Sequence, residues 1–575
     1  MSTTQSVSQQ LSIWMNEVFD RIYPNVDLTG INTHVVPTTD ARFGDYQCNA
    51  AMALSKRVKT APRVVAQAVI EQPLPALVER LDMAGPGFIN FYLKTDWLAK
   101  YLERIQGDRR LGVPKEGTGR TMVIDYSSPN IAKPMHIGHI RSTVIGNALD
   151  RMYRFLDYTM IADNHIGDWG TQFGLMISGY KTFLDADALA SDPIAELERI
   201  YRESYKRSQE DPAWLDQARG ELVKLQQGDE ANLALWEQFI ELSKIEFNTI
   251  YKRLGVSFDI ERGESFYRAA LQGIIDQLVE QGIATKSEGA LVVDLEEEGL
   301  PVSLVQKSDG GFNYTTTDLA TVQSRENDFH PDEIIYVTDE RQQLHFRQFF
   351  AIAKKMGMKV RLKHVWFGLM RLPDATFSTR QGNVIKLEKL LDEAEERALE
   401  MVSRSSSELS DEQQREIARA VGIGAVKYAD LSQNPQSMIT FTWEKALSLE
   451  GNSAPYLQYA YARIASVCAK YRATYPDKNF MDYPLCLEEA VERKLALHLL
   501  RFSEAVLDGA RNYRPNYLAD YLYDLAQIYS HFYQTVPFLK AEEGKRESRV
   551  RLCDVVASVL RTGLDLLGIE TPERI

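Results

Sequence analysis

Apolar residues along this chain keep three rhythms in turn, and each change of rhythm marks a part of the molecule. An amphipathic helix around Ser8–Ile22 opens the first part, which closes on the strand-like Gly87–Leu93. The loop Val113–Arg120, rich in glycine and charge, separates it from the second part. Thr121–Tyr126 is then a short apolar run of the kind that forms a buried strand, broken by Ser127-Ser128-Pro129-Asn130. A helix is expected from near Gly138 through Arg141, Val144, Ile145, Ala148 and Met152, and a second strand at Tyr158–Ala162. Strand, helix and strand in that order predict a parallel sheet, which takes ligands at the carboxyl ends of its strands. The charged, helical stretch from about Asp185 to Gly255 reads as an insertion. A β-rich segment, Gly289–Thr317, comes next, then a strand at Glu333–Val337 and a helix through Phe346–Lys355, a third crossover. From Glu388 onward the period is helical, with Leu387, Leu391, Ala394, Ala398 and Met401 on one face. Ser453 is a candidate N-cap, with Pro455 in the first turn of a helix reaching about Ala469. The expected class is α/β, with domains at 1–115, 116–440 (helical insertion about 185–255) and an all-α bundle at 441–575.

Composition changes this picture little. A length of 575 residues exceeds one hydrophobic core, which agrees with several domains. The opening Met1-Ser-Thr-Thr-Gln-Ser-Val-Ser is polar, and no run approaches the roughly 18 apolar residues of a membrane span. An unexported, cytoplasmic protein without a membrane partner is expected. Cys48, Cys468, Cys486 and Cys553 are scattered without metal-ligand spacing, so no zinc is expected and a reducing compartment fits. A net charge of −14 does not decide the question of nucleic acid, because a local basic groove can bind phosphates on an acidic protein.

The chemistry concentrates at His136-Ile137-Gly138-His139. Two histidines three apart at a helix start share a face, and the helix N-terminus suits phosphate. Imidazoles placed there can donate hydrogen bonds as negative charge builds on phosphate oxygens. Gly138 removes a side chain where a ligand must come close. A zinc pair is disfavoured, since no third ligand stands nearby at usual spacing.

The run from Ser127 to Thr143 resembles the first signature of class I aminoacyl-tRNA synthetases in its arginyl form. The run Asp163-Asn164-His165-Ile166-Gly167-Asp168-Trp169-Gly170-Thr171-Gln172-Phe173-Gly174 resembles the arginyl family closely and other class I members poorly. The resemblance implies a Rossmann-like catalytic domain, an N-terminal tRNA-contacting domain and a C-terminal anticodon-binding bundle. It implies that His136, Gly138, His139 and Lys133 hold ATP and that Asn130 meets the arginine backbone. The family's second ATP loop falls at Phe377–Gly382, where both class lysines are missing and Arg380 replaces one, with Thr379 beside it. Arg380 and Lys133 would then share the charge of departing pyrophosphate.

For the arginine side chain the resemblance implies Tyr314 and Asp318, Gln342, and Glu264, the carboxylates answering a planar guanidinium. No editing domain is expected, because a site that hydrogen-bonds a charged group rejects analogues lacking it by about 10⁴–10⁵. Glu450–Arg463 and Leu567–Ile575 resemble the family's anticodon-binding bundle, with Tyr533 and Ile575 as tRNA contacts; Tyr456, Tyr459 and Tyr461 divide between core and tRNA face. Phe43 and Gln47 lie where the N-terminal module would touch tRNA. The resemblance thus implies a monomeric ligase joining L-arginine to tRNA(Arg), with Mg²⁺ arriving on ATP, no DNA partner, and tRNA needed for the first step. The alternatives are another class I synthetase or a non-catalytic tRNA-binding paralogue. The first is opposed by the absent cysteine-rich site of the cysteine enzyme, the second by the presence of His136, His139 and Asp318.

Overall fold

The computed structural model describes residues 5–371, 385–405 and 409–575. They form two compact units. One is Gly117–Ser448 with Leu567–Ile569; the other is Met1–Glu116 with Leu449–Leu566 and Glu570–Ile575.

In the first unit β1 (Thr121–Asp125) leads through α1 (Ile137–Phe155) to β2 (Thr159–Asp163). After the helical insertion, whose last helix is α2 (Glu230–Leu254), come α3 (Tyr314–Phe329), β3 (Glu333–Asp339), α4 (Gln343–Lys355) and β4 (Arg361–Phe367). The sheet order is β4-β3-β1-β2 and every pairing is parallel. The predicted α1 stripe is the buried one, with Val144, Ile145, Ala148 and Met152 all packed inside. Helix and strand end approach so closely that a Cβ on Gly146 would stand 2.3 Å from the Tyr126 ring, and only glycine fits.

The β-rich segment expected at Gly289–Thr317 is shorter. Its strands Ala290–Val293 and Ser303–Gln306 join Ala284–Ser287 in an antiparallel sheet, and α3 already begins at Tyr314. Tyr314-Thr315-Thr316-Thr317 has strand-forming composition. Burial of Leu319, Ala320 and Val322 one turn on decides for helix, and Thr316 Oγ1 donates to Val305 O at 2.6 Å. The helical stretch after Glu388 is interrupted by Ile439–Thr440, which pairs in parallel with Met370–Arg371.

In the second unit four antiparallel strands, ordered 36–37, 46–48, 88–93 and 78–84, lie with the helix Val7–Ile22, which Ser6 caps. Ser453 caps Ala454–Thr474 as its sequence predicts. Asp45 accepts two bonds from Arg493, at 3.0 and 2.7 Å, tying the strands to the helix Ala490–Leu500. Among the described residues no helix is long and apolar enough to cross a membrane.

Candidate active site

The chain leaves β1 toward one side of the sheet and returns to β3 on the other, so the crevice of a parallel sheet opens beyond the carboxyl ends of these two strands. The loop after β1 is strained. Ser127, Ser128 and Ala132 have φ of 72°, 48° and 59°, a region L-residues keep only when their surroundings impose it. Ser127 N donates to Ser142 Oγ (2.9 Å), and its hydroxyl lies 2.8 Å from both Thr143 Oγ1 and Tyr251 OH. Ser128 N donates to Asn164 Oδ1 at 3.1 Å, and Ala132 N to Ser243 Oγ at 2.9 Å. Tyr251 and Ser243 sit on α2, so the insertion's last helix is a wall of the site.

His136 is the N-cap of α1. Its Nδ1 accepts from Gly138 N at 3.0 Å, and His139 Nδ1 accepts from His136 N at 3.0 Å. A neutral imidazole whose Nδ1 accepts carries its proton on Nε2, so each ring keeps one N–H donor. Burial, followed by Lys133 and Arg341, pushes His136 down to about 4; burial and His136 push His139 down to about 3. Both are neutral at pH 7. A Cβ on Gly138 would meet His136 Cε1 at 2.7 Å, so this glycine also makes room for the capping ring. Lys133 holds its ammonium 5.0 Å from the Tyr201 ring centre, and burial lowers its pKa. Ile137 N donates to Ile385 O (3.2 Å) and Leu387 N to Met135 O (2.8 Å), so Ile385–Leu387 runs beside the histidine motif. Thr379 and Arg380 lie outside the described residues.

Asn130 forms a bridge with Gly167, where a Cβ would stand 2.1 Å from Asn130 Oδ1. The two signature runs are therefore clasped side by side. Glu264 begins the short helix Glu264–Ala270, and its N–H donates to Ile166 O at 3.2 Å. Burial, then Asp318 and Asp168, push the Glu264 carboxyl up to about 8. Asp318 lies on α3, one turn from the exposed Tyr314, and accepts from His345 Nε2 at 2.5 Å. Gln342 is exposed in the turn Glu340–Gln342 after β3.

Several residues here escaped the sequence reading. Arg325 of α3 is fully buried; its Nη2 donates to Asp125 Oδ2 and to Asp163 Oδ2, both at 2.7 Å, joining the ends of β1 and β2. Trp236 of α2 donates to Asp168 O (2.7 Å), and the Asp168 carboxylate accepts from Ser265 N and Oγ at 2.8 and 2.6 Å. Asp125, next to last in the predicted strand Thr121–Tyr126, and Asp163, directly after Tyr158–Ala162, were findable as acids near strand ends; Ser243 and Tyr251 carry no local signal.

In the other unit Phe43 is exposed and Gln47 donates to Asn90 Oδ1 at 2.9 Å. Tyr459 and Tyr533 are exposed, and the Arg463 guanidinium lies 4.8 and 5.3 Å from their ring centres. Tyr461 is buried, Tyr456 is half-buried 5.8 Å from the Tyr523 ring, and Ile575 is half-buried.

A parallel sheet with a helix-capping histidine pair at its switch point defines a nucleotide-using enzyme of class I synthetase type. Comparison with known proteins agrees. Residues 102–443 match the model of class I (R) tRNA synthetases, catalytic domain; residues 457–575 match the DALR anticodon binding domain; residues 5–93 match the arginyl tRNA synthetase N-terminal domain. An arginine–tRNA ligase of Fusobacterium nucleatum is 44% identical over 565 residues, 98% of each chain. One of Laribacter hongkongensis is 44% identical over 550 residues, 93% of this chain and 95% of its own. The arginyl-tRNA synthetase structure from Plasmodium falciparum superposes with a TM-score of 0.86 at 28% identity, covering all of both chains. That of Thermus thermophilus shares the fold, with a TM-score of 0.83 at 24% identity over 99% of this chain and all of its own.

The chain belongs to the arginyl-tRNA synthetase family, and its activity is the ligation of arginine to tRNA at the expense of ATP.

Proposed function

We propose that the crevice divides into an ATP side, formed by Lys133, His136, Gly138 and His139 with Thr379 and Arg380, and an arginine side, formed by Asn130, Glu264, Tyr314, Asp318 and Gln342. The observation that carries this reading is the Glu264–Asp318 pair. Burial first, and then the neighbouring carboxylates of Asp318 and Asp168, raise Glu264 to about 8, with no basic side chain among the causes of its shift. Such a pair is relieved by a cationic ligand, and a guanidinium can meet two carboxylates through its fork of donors.

In the first step the arginine carboxylate forms a bond to the α-phosphorus of Mg-ATP, and the bond to the β-phosphate oxygen breaks. Pyrophosphate leaves, with His136 and His139 donating Nε2–H bonds and Lys133 adding charge. In the second step a ribose hydroxyl of the terminal adenosine of tRNA(Arg) attacks the arginyl carbonyl, and AMP departs. Catalysis is positioning plus charge stabilisation. Magnesium enters as part of the ATP substrate and keeps most of its waters. Phe43, Gln47, Tyr533 and Ile575 are proposed to contact tRNA, and the absent second-loop lysines make tRNA a requirement for activation. The enzyme acts as a cytoplasmic monomer, a setting that suits the free thiols of Cys48, Cys468, Cys486 and Cys553.

The test is a proton count. Glu264 must ionise to meet the guanidinium, and its pKa near 8 stands above the ordinary 4.5, so arginine binding below pH 8 expels a proton. KM for arginine in aminoacylation should rise as pH falls from 8 to 6, approaching tenfold per unit. Glu264→Gln should weaken binding and flatten that slope. A slope unchanged in Glu264→Gln removes Glu264 from the pocket.

A further inference from the structure

We infer that His345 is a positioning residue of the arginine pocket, which fixes the Asp318 carboxylate in the orientation that receives the substrate guanidinium. The inference rests on the proposed reading of Asp318 as a ligand of that group.

His345 lies on α4, three residues beyond Gln342, and its Nε2 stands 2.5 Å from Asp318 Oδ2 on α3. Since a carboxylate accepts, His345 is the donor. Among the described residues it is the one side chain that donates to Asp318. The imidazole leans on the rings of Phe346 and Phe349, with centres 5.8 and 5.4 Å away, and Phe349 is fully buried. One edge of the imidazole is thus set by packing and the other by the aspartate. Both side chains remain partly open, with 30% and 23% of their surfaces exposed, so the pair stands at the rim of the crevice and not in the core.

With Oδ2 engaged by His345, the carboxylate plane is fixed and Oδ1 is left for a ligand. The bond also ties α3, which carries Tyr314 and Asp318, to the start of α4, directly after the turn bearing Gln342. Three of the proposed arginine ligands therefore share one link. Without the link, Asp318 can rotate, and its distance to Glu264 is no longer set. The guanidinium would then have to bear the cost of ordering an acid that the free enzyme now holds in place.

The test compares His345→Ala with His345→Gln in steady-state aminoacylation with tRNA present. Glutamine keeps an N–H donor of similar reach without the imidazole. His345→Ala should raise KM for arginine about tenfold, the size expected from losing a hydrogen bond to a charged group, and leave KM for ATP within about twofold. His345→Gln should recover most of the loss. Equal effects on arginine and ATP, no effect in His345→Ala, or a glutamine variant as poor as alanine each overturn the inference. Asp318→Asn separates this failure from failure of the underlying reading. If Asp318→Asn leaves arginine KM unchanged, Asp318 is not a ligand. If it raises arginine KM and His345→Ala does not, only the role of His345 is lost.

Discussion

His136 and His139 owe their charge state to the bonds that cap their helix. With Nδ1 of each ring occupied by a backbone N–H, protonation would have to break a cap, and burial already holds the rings at about 4 and about 3. On the proposed reading they act as neutral donors, and the rate of activation should show no histidine limb between pH 5 and 8. The folded values lie below the ordinary 6.5, so their contribution to stability is complete above pH 6.5 and declines as pH falls toward 4. His139→Ala removes one donor and should slow arginine activation by at least roughly 10²-fold, the usual loss for an oxyanion-type contact. Pyrophosphate exchange in the presence of tRNA measures this, with tRNA affinity expected near normal; a large fall in tRNA binding instead would show the role to be misassigned. The residue types and their spacing were readable in the sequence. The Nδ1 caps were not, because they depend on how the helix begins in space.

A buried arginine of α3 joins the strand ends that carry the site. Arg325 lies 200 positions from Asp125 and 162 from Asp163; the two acids are conspicuous at strand ends, but nothing local says that one arginine answers both. Strand positions, the α1 stripe and the Ser453 cap were legible because local period and capping chemistry dictate them. The start of α3 at Tyr314 was not, because packing overrode a β-branched run. The triad was illegible for a related reason, since it exists only once the parallel register sets Asp125 beside Asp163. Arg325→Leu should leave two buried carboxylates without their counter-charge and destabilise this unit by about 3–5 kcal/mol. Urea unfolding followed by fluorescence, with Trp169 and Trp236 as reporters in the unit, is the measurement. A midpoint within error of the parent's would mean that the strand ends are held by other contacts.

At the scale of the whole molecule, an acidic chain of net charge −14 must still bind a polyanion, so binding has to be local. We propose that the exposed Tyr459 and Tyr533, with the half-buried Arg463 against both rings, meet that need, offering two rings to unpaired bases and a guanidinium to a base face or a phosphate. On the proposed reading, Tyr533→Ala removes a stacking platform worth about 1–3 kcal/mol, so KM for tRNA should rise by roughly 5- to 150-fold. KM for arginine and for ATP should not move. Arg463→Gln tests the charge separately. If Arg463 meets a phosphate, the dependence of log affinity on log salt should become shallower by about 0.7, the share of one single-stranded phosphate contact. If Arg463 serves only to align the two rings, affinity should drop at every salt concentration with the slope unchanged. Filter binding across a salt series distinguishes the two. Unaltered tRNA affinity in both variants would remove this face from the tRNA interface.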